Sequence, residues 1–293
     1  MRKNAVVLLV LQTVWSIVNE EHRKNMKIPK RIIQTGKSVD LPLLEKAAVA
    51  NIKLLNPGFE YLFFDDAQVE EFIDMQFPEY REVYDSFPVR IQRYDFFRYL
   101  AVYHYGGFYF DLDVFLASGL EDLLNFGCVF SFEELTVHTY LRQEHGMDWE
   151  IANYAFGAEA GHPFLHAIIQ NCVKAQKDPA WAEMMMKSIP RMFREDFFVL
   201  DTTGPGLVSR TLAEFPNAAK HINVLFPENV CDPKSWHHFG SYGVHLQEGG
   251  WRRRKGFWRR RLALMWESRA RSRLLTESLK LGGRRAIEFR DKP

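Results

Sequence analysis

One short stretch constrains the fold of this chain more than any other: YHYGGFYFDLDVF, from Tyr103 to Phe115. Successive side chains of a strand point to opposite faces. A strand over Phe108–Phe115 would therefore have one apolar face and one face that carries both Asp111 and Asp113. The Gly106-Gly107 pair is typical of the end of a helix. The stretch thus predicts a helix, a stop, and a buried strand that bears two neighbouring carboxylates.

The segments before this stretch alternate between strand-like and helix-like patterns. Strands are predicted over Pro29–Thr35 and Phe59–Phe64, and helices over Leu43–Leu54, from an N-cap at Asp65 onward, and over Val89–Tyr105. This order predicts an α/β fold with a mainly parallel sheet. Ligands of such sheets bind beyond the carboxyl ends of the strands, and the acidic pair lies near the end of its strand.

The acidic pair also predicts a bound cation. Two neighbouring carboxylates repel each other unless a cation lies between them. Magnesium is commonly held by one or two carboxylates together with substrate phosphates, which would suit a nucleotide diphosphate. An acidic surface turn is the alternative. The helix before the pair carries Asp95 and Arg98, three residues apart on one face. Charges in so apolar a helix require a partner or a task.

Charge divides the chain into an acidic body and a basic tail. Residues 252–293 hold fifteen Lys or Arg and four Asp or Glu, although the whole chain has a net charge of only +1. The tail also has apolar side chains at roughly helical spacing, namely Trp258, Leu262, Leu264, Met265 and Trp266. This composition predicts a helix on an anionic membrane surface. Nucleic acid and a merely solvated tail are the alternatives, and we expect no nucleic acid partner.

The N-terminal residues 1–27 are predicted to form an interfacial helix or a short anchor. Their apolar run AVVLLVLQTVWSIV follows Arg2 and Lys3, and it is shorter than the roughly 20 residues that a membrane span requires. The 3 cysteines lack C-x-x-C spacing, which argues against a disulfide framework or a structural zinc site. We therefore expect a cytoplasmic protein, peripheral on the inner face of a membrane. The alternative is a Golgi-type, membrane-anchored lumenal protein.

A resemblance to a known family becomes clear at RYDFFRYLAVYHYGGFYFDLDV. This run resembles the signature of glycosyltransferase family 32, the sugar-binding-region transferases with a DXD motif, of the initiating mannosyltransferase and capsular polysaccharide type. IPKRIIQTG and NPGFEYLFFDD resemble the first two strands of that family, with Ile33 and Gly36 in place of its usual His and Trp. Weaker similarity continues to His245 and Trp251, so that residues 28–251 are covered.

The resemblance implies a GT-A-type, Rossmann-like nucleotide-diphospho-sugar transferase fold for residues 28–251. It implies that Asp111 and Asp113 hold Mn²⁺ or Mg²⁺, with His245 as a third ligand and His237 or His238 as its rivals. Asp95 and Arg98 would bind the donor sugar and its phosphate. Further contacts to the nucleotide sugar are implied for Gln34, Thr35, Tyr109, Asn153 and Trp251.

The expected function is accordingly a metal-dependent retaining glycosyltransferase. It would move a hexose from a UDP- or GDP-sugar to a lipid-linked or surface-glycan acceptor. A non-catalytic sugar- or membrane-binding protein and a toxin-like protein glycosyltransferase on the same fold are the alternatives. A glycoside hydrolase is disfavoured, because hydrolases hold two carboxylates about 5 to 9 Å apart across the sugar, whereas here both acids would lie on one strand face.

Overall fold

The computed structural model describes residues 27–247 and 257–281, with side chains in the last segment described for residues 261–276. The predicted N-terminal helix and the ends of the basic tail lie outside these residues. The strands are β1 Arg31–Thr35, β2 Glu60–Phe64, β3 Gly107–Phe110, β4 Val114–Leu116, β5 Cys128–Leu135, β6 Trp149–Ala158, β7 Asn223–Leu225, β8 His238–Phe239 and β9 Gly243–His245.

The helices are α1 Leu43–Leu55, α2 Asp66–Gln76, α3 Arg81–Ser86, α4 Arg90–Tyr105, α5 Thr139–Glu144, α6 Pro163–Lys177, α7 Pro179–Met186, α8 Arg194–Thr202, α9 Pro205–Glu214, α10 Ala218–His221 and α11 Phe257–Leu281. Local signals fix several ends. Asp65 caps α2 by accepting from the amide of Gln68 at 3.0 Å. The helix predicted over Val89–Tyr105 is α4, and Gly106 follows it with a φ of 63° that favours glycine.

Six strands form the central sheet, in the order β2-β1-β3-β6-β5-β7. Strand β1 runs parallel to β2 and to β3, and β5 runs parallel to β7. Strand β6 is antiparallel to both of its neighbours. The predicted α/β arrangement with a parallel-rich sheet is confirmed. A smaller antiparallel sheet has the order β4-β9-β8.

The two faces of the central sheet carry separate apolar cores, as the alternation of side chains predicts. On one face Tyr109 and Phe156 join a large core with residues of α4, α6 and α9. On the other face Phe108 and Phe110 pack with Ile52 of α1. The sheet is therefore covered on both sides, and its strand ends are the regions where polar side chains can gather.

The single strand predicted over Phe108–Phe115 is wrong, because the chain divides there into two strands. Strand β3 ends at Phe110, and β4 begins at Val114 in the smaller sheet. The amide of Val114 donates to the carbonyl of Asp111 at 3.2 Å, which closes a turn between the two strands. Asp111 and Asp113 thus lie on a turn at the carboxyl end of β3 instead of sharing a strand face.

Helix α11 packs on the body of the domain through part of its surface. Ala263 and Leu274 are buried, and the ring of Trp266 lies 5.8 Å from that of Phe193. Arg271 donates to the carbonyl of Leu135 at 3.1 Å. Three other apolar side chains of the described segment are about half exposed, namely Leu262, Leu264 and Met265. The membrane contact predicted for the basic tail stays a prediction.

Candidate active site

The acidic turn and His245 come together through the smaller sheet. Val114 of β4 pairs with His245 of β9, and the amide of Leu246 donates to the carbonyl of Asp113 at 3.0 Å. The Nε2 atom of His245 lies 3.2 Å from Oδ1 of Asp113. One ligand atom each from Asp111, Asp113 and His245 falls within a span of 4.8 Å. The structure thus assembles the three residues implied as metal ligands.

Further contacts hold the ring of His245. The ring stacks on that of Tyr154 at a centroid distance of 4.1 Å. Its Nδ1 atom is buried and has no hydrogen-bond partner within the described part of the chain. Of the two rivals, His237 instead lies with its Nδ1 atom 3.2 Å from Oε1 of Glu133. His245 is the histidine that the described residues place beside the acidic pair.

The three side chains fit a divalent cation. Two carboxylates and one imidazole supply oxygen and nitrogen ligands at a spacing that a single ion can reach. Magnesium prefers an all-oxygen shell, and affinity for a mixed shell rises along the first-row metals from manganese onward. The imidazole therefore suits a first-row transition-metal ion better than Mg²⁺, whereas the carboxylates accept either kind of ion.

A buried arginine lies directly behind the acidic turn. The Nη2 atom of Arg98 is 3.2 Å from Oδ1 of Asp95 and 3.2 Å from Oδ1 of Asp111. Its guanidinium stands over the ring of Tyr109 at 4.7 Å. We call Asp95, Arg98 and Asp111 the Arg98 cluster. Two carboxylates contact the guanidinium and a third, that of Asp113, lies beside Asp111. Three carboxylates therefore accompany one guanidinium, which leaves an excess negative charge that favours a bound cation.

Burial and charge act against each other in the Arg98 cluster. Burial raises the pKa of Asp95 to about 6, although Arg98 and a hydrogen bond from Thr203 oppose the rise. Burial also raises the pKa of Asp111, with Arg98 again opposing it. For Arg98 burial alone would lower the pKa, but the carboxylates around it outweigh burial and raise it. The guanidinium therefore stays charged.

Hydrogen bonds fix the buried side of this cluster. The hydroxyl of Thr203 donates to Oδ2 of Asp95 at 2.8 Å, and Nδ2 of Asn153 donates to Oδ1 at 3.2 Å. Arg98 donates to the carbonyl of Asn153 at 2.9 Å. The hydroxyl of Tyr99 donates to the carbonyl of Thr203 at 2.7 Å. Helix α4, strand β6 and the turn that follows α8 are thereby held together at one point.

The other implied donor contacts lie close to the turn. The hydroxyl of Tyr109 donates to Oδ1 of Asp111 at 2.8 Å. The side-chain Nε2 atom of Gln34 donates to the backbone carbonyls of Phe110 and Asp111, each at 3.3 Å. The hydroxyl of Thr35 donates to the carbonyl of Phe64 at 2.8 Å. Gln34 and Tyr109 thus position the acidic turn. Trp251 lies outside the described residues.

Sequence reasoning assigned no role in the donor site to two of its residues, Tyr154 and Thr203. Tyr154 is the neighbour of Asn153, yet its stacking on His245 had no sequence signal. Burial raises the pKa of Tyr154 well above its usual value, and the carboxylates of Glu133 and Asp111 add to the rise. Thr203 lies in the glycine-rich turn before α9. In the sequence, its polar side chain was the one feature that suggested a contact with the site.

Residues 42–129 match a family model described as the glycosyltransferase sugar-binding region containing the DXD motif. The chain contains this glycosyltransferase region. The match includes the acidic turn and the Arg98 cluster, and it confirms the family resemblance. The parallel-rich sheet also confirms the predicted α/β class.

Several curated relatives of this glycosyltransferase region come from fungi. Inositol phosphoceramide mannosyltransferase 3 of Schizosaccharomyces pombe is 33% identical over 78% of this chain and 61% of its own length. Mannosyl phosphorylinositol ceramide synthase SUR1 of Saccharomyces cerevisiae is 30% identical over 48% of this chain and 34% of its own length. The chain therefore spans less than two thirds of the length of these relatives.

A solved structure, the PaToxG glycosyltransferase, superposes on this chain with a TM-score of 0.45 at 14% identity, covering 71% of this chain and 79% of that one.

The predicted cytoplasmic location is wrong. Several relatives are fungal proteins named as inositol phosphoceramide mannosyltransferases or mannosyl phosphorylinositol ceramide synthases, and they fit the lumenal, Golgi-type alternative better than the inner face of a membrane. Few cysteines, an N-terminal segment without a clear cleavage signal and a basic tail were the signals for that prediction, and none of these features determines the side of a membrane. Among residues 27–247 and 257–281, no helix has both the length and the apolar character of a membrane span.

Proposed function

We propose that this protein is a metal-dependent retaining glycosyltransferase that moves a hexose from a nucleotide-diphosphate donor to a glycolipid headgroup. The observation that carries the proposal is the meeting of Asp111, Asp113 and His245 directly in front of the buried Arg98. Carboxylates and an imidazole that converge on one point supply ligands for a cation. The adjacent guanidinium supplies a second positive group suited to phosphate and sugar oxygens.

The metal would have a single task. Held by Asp111, Asp113 and His245, a divalent cation would bind the donor's diphosphate and stabilise negative charge on the departing nucleotide. Tyr109 and Gln34 keep the turn in place for this task, because they donate to the side chain and the carbonyl of Asp111. Preorganised groups of this kind need no rearrangement during the reaction.

The Arg98 cluster would bind the donor on the buried side of the turn. Arg98 is almost fully buried, and its Nε atom has no hydrogen-bond partner among the described residues. Its charge therefore acts in surroundings where electrostatic interactions are strong. Asp95 would accept a hydrogen bond from a donor-sugar hydroxyl while Thr203 and Asn153 hold its carboxylate in place. With retention of configuration, the departing phosphate would take the proton of the acceptor hydroxyl.

The names of the relatives suggest both the sugar and the acceptor. They are mannosyltransferases of inositol phosphoceramide, so mannose is the first hexose to test and a phosphoinositol sphingolipid is the first acceptor. A cyclitol phosphate headgroup offers several neighbouring hydroxyls beside one negative charge. The nucleotide of the donor stays open between UDP and GDP.

The decisive experiment is calorimetric binding of GDP-mannose and of UDP-hexoses with Mn²⁺, with Mg²⁺ and with EDTA. We expect binding that requires the metal and that is lost in Asp113→Ala. Asp122→Ala is the matched control, because Asp122 is exposed on a short 3₁₀ turn away from the three ligands. If no nucleotide sugar binds under any metal condition, the proposal fails. Binding without transfer to any acceptor would instead favour the non-catalytic sugar-binding alternative.

A further inference from the structure

A second polar pair lies beside the candidate metal ligands and has no role in the donor site. Oε1 of Glu133 and Nδ1 of His237 are 3.2 Å apart, and both side chains keep part of their surface exposed. They connect to the site through His245, because the carbonyl of His237 accepts from the amide of His245 at 3.0 Å. Tyr154 provides a second connection, since its ring stacks on His245 and its hydroxyl lies within electrostatic reach of Glu133 and Asp111.

The backbone of His237 is held in an unfavourable conformation. Its φ is +60°, in the left-handed region that residues other than glycine seldom adopt. The amide of His237 donates to the carbonyl of Glu133 at 3.3 Å, in addition to the contact between the two side chains. This backbone conformation costs free energy, and it places the imidazole of His237 against Glu133, next to His245.

Helix α11 supports the pair from behind. Arg271 forms an ion pair with Glu134, the neighbour of Glu133 on β5, and a second one with Glu267 at 3.0 Å. Oε2 of Glu134 is in turn 4.0 Å from Nε2 of His237. Helix α11, which belongs to the basic tail, therefore holds strand β5 and its Glu133 in place.

The geometry points to Glu133 and His237 as the acceptor-binding side of the site, where they bind neighbouring hydroxyls of a polyol acceptor. This inference rests on the proposed function. Within the Arg98 cluster, Asp95 and Arg98 are buried, and Thr203 and Asn153 engage Asp95, whereas the side chains of Glu133 and His237 are 13% and 22% exposed. An incoming acceptor must approach the bound sugar from an open side. A carboxylate accepts hydroxyl hydrogens and an imidazole can donate or accept, which together match adjacent hydroxyls.

The test separates acceptor binding from donor binding in three variants. Glu133→Gln removes the charge, and His237→Asn removes the imidazole while keeping a residue that tolerates the left-handed backbone. Glu144→Gln, at an exposed position on α5, is the matched control. The donor probes are the nucleotide sugars above, measured by calorimetry. The acceptor probes are inositol phosphoceramide in detergent micelles and methyl α-mannoside in water, which distinguish a lipid headgroup from a free glycan.

We expect kcat/KM for the preferred acceptor probe to fall about 10- to 100-fold in Glu133→Gln and in His237→Asn, the range for a lost hydrogen bond to a charged group. Donor affinity should stay within about twofold, and Glu144→Gln should match the wild type in both readouts. A parallel loss of donor affinity would overturn the inference, because the pair would then support the metal site as a whole. Unchanged acceptor kinetics in both variants would also overturn it and leave the transferase proposal intact. A wild type that binds no nucleotide sugar would overturn both.

Discussion

The Arg98 cluster and a second cluster around His138 each place one cationic side chain between two carboxylates, but they differ in access to solvent. In the second cluster, Nε2 of His138 lies 3.1 Å from Oδ1 of Asp201 and 3.7 Å from Oε1 of Glu150. All three side chains of this His138 cluster are at most 7% exposed. In the Arg98 cluster, the side chain of Asp111 is 27% exposed.

The partial exposure of Asp111 distinguishes the Arg98 cluster, a candidate site, from the His138 cluster, a structural element. Asp111 turns one end of its cluster towards Asp113 and His245, where a cation and a ligand can reach it. The His138 cluster is closed, since the ring Nδ1 atom lies 3.1 Å from the carbonyl of Met185 and Glu150 accepts from Thr136 at 2.5 Å. A buried charge network thus indicates function only where one of its members reaches a cleft.

The largest expected effect comes from substituting one aspartate in each cluster. Asp111→Asn should lower transfer activity roughly 100- to 1,000-fold, because it weakens a proposed ligand of a metal that would stabilise charge in the transition state by several kcal/mol. The melting temperature of this variant should change little, because Arg98 still forms its ion pair with Asp95. Asp201→Asn should do the reverse and lower stability while activity per folded molecule is retained. A loss of activity in folded Asp201→Asn would break the comparison.

Removing the guanidinium of Arg98 should produce an effect of similar size. Arg98→Met leaves Asp95 buried without its ion partner, and we expect the free energy of unfolding to fall by about 3 to 5 kcal/mol. Chemical denaturation measures this loss. The double variant Arg98→Met/Asp95→Asn should recover much of the stability but none of the donor binding. If the second substitution restores no stability, the two side chains are not coupled as the 3.2 Å contact implies.

Features encoded locally were predictable from the sequence. The N-cap at Asp65 and the end of α4 at Gly106 follow from side-chain capping and from glycine's tolerance of positive φ, and both predictions are confirmed. Asp95 and Arg98 lie three residues apart on one helix, so their shared face and their ion pair also follow from local geometry. In these cases the partners are near in sequence, and one regular element fixes their distance.

Contacts between distant segments were not predictable. The hydroxyl of Thr203 donates to Asp95 across 108 residues, and Arg271 donates to the carbonyl of Leu135 across 136. The strand pattern gave no sign that β6 enters the sheet antiparallel beside β3 and so brings Asn153 and Tyr154 to the site. His245 could be named from the family resemblance, but its preference over His237 depends on the pairing of β4 with β9. The closed His138 cluster had no sequence signal.

The His138 cluster should make stability depend on pH. Burial alone would lower the pKa of His138, but Asp201 and Glu150 outweigh it and raise the pKa from 6.5 to about 9. A raised pKa of this kind contributes stability that is complete below pH 6.5 and is lost as the pH rises through 9. Unfolding of the wild type between pH 6 and 10 should show a decline on the order of 3 kcal/mol from this residue.

The difference between the wild type and His138→Gln isolates this contribution from that of other groups titrating nearby. The variant should be less stable at pH 6, and the gap should close towards pH 10. His166→Gln, at an exposed position on α6, is the control and should run parallel to the wild type. A gap that stays constant with pH would show that His138 is neutral in the folded protein.

The smallest expected effect tests whether α11 belongs to the site or only lies against it. Arg271→Met removes the ion pairs with Glu134 and Glu267 and the bond to the carbonyl of Leu135. We expect a loss of about 1 to 2 kcal/mol, faster amide exchange along α11, and a several-fold rise in KM for the acceptor at constant donor affinity. Arg269→Met, on the exposed side of the same helix, should change none of these. If Arg271→Met loosens α11 and leaves acceptor kinetics unchanged, the helix stabilises the domain without shaping the acceptor side. In that case the solvent-accessible site would extend as far as Glu133 but would not include α11.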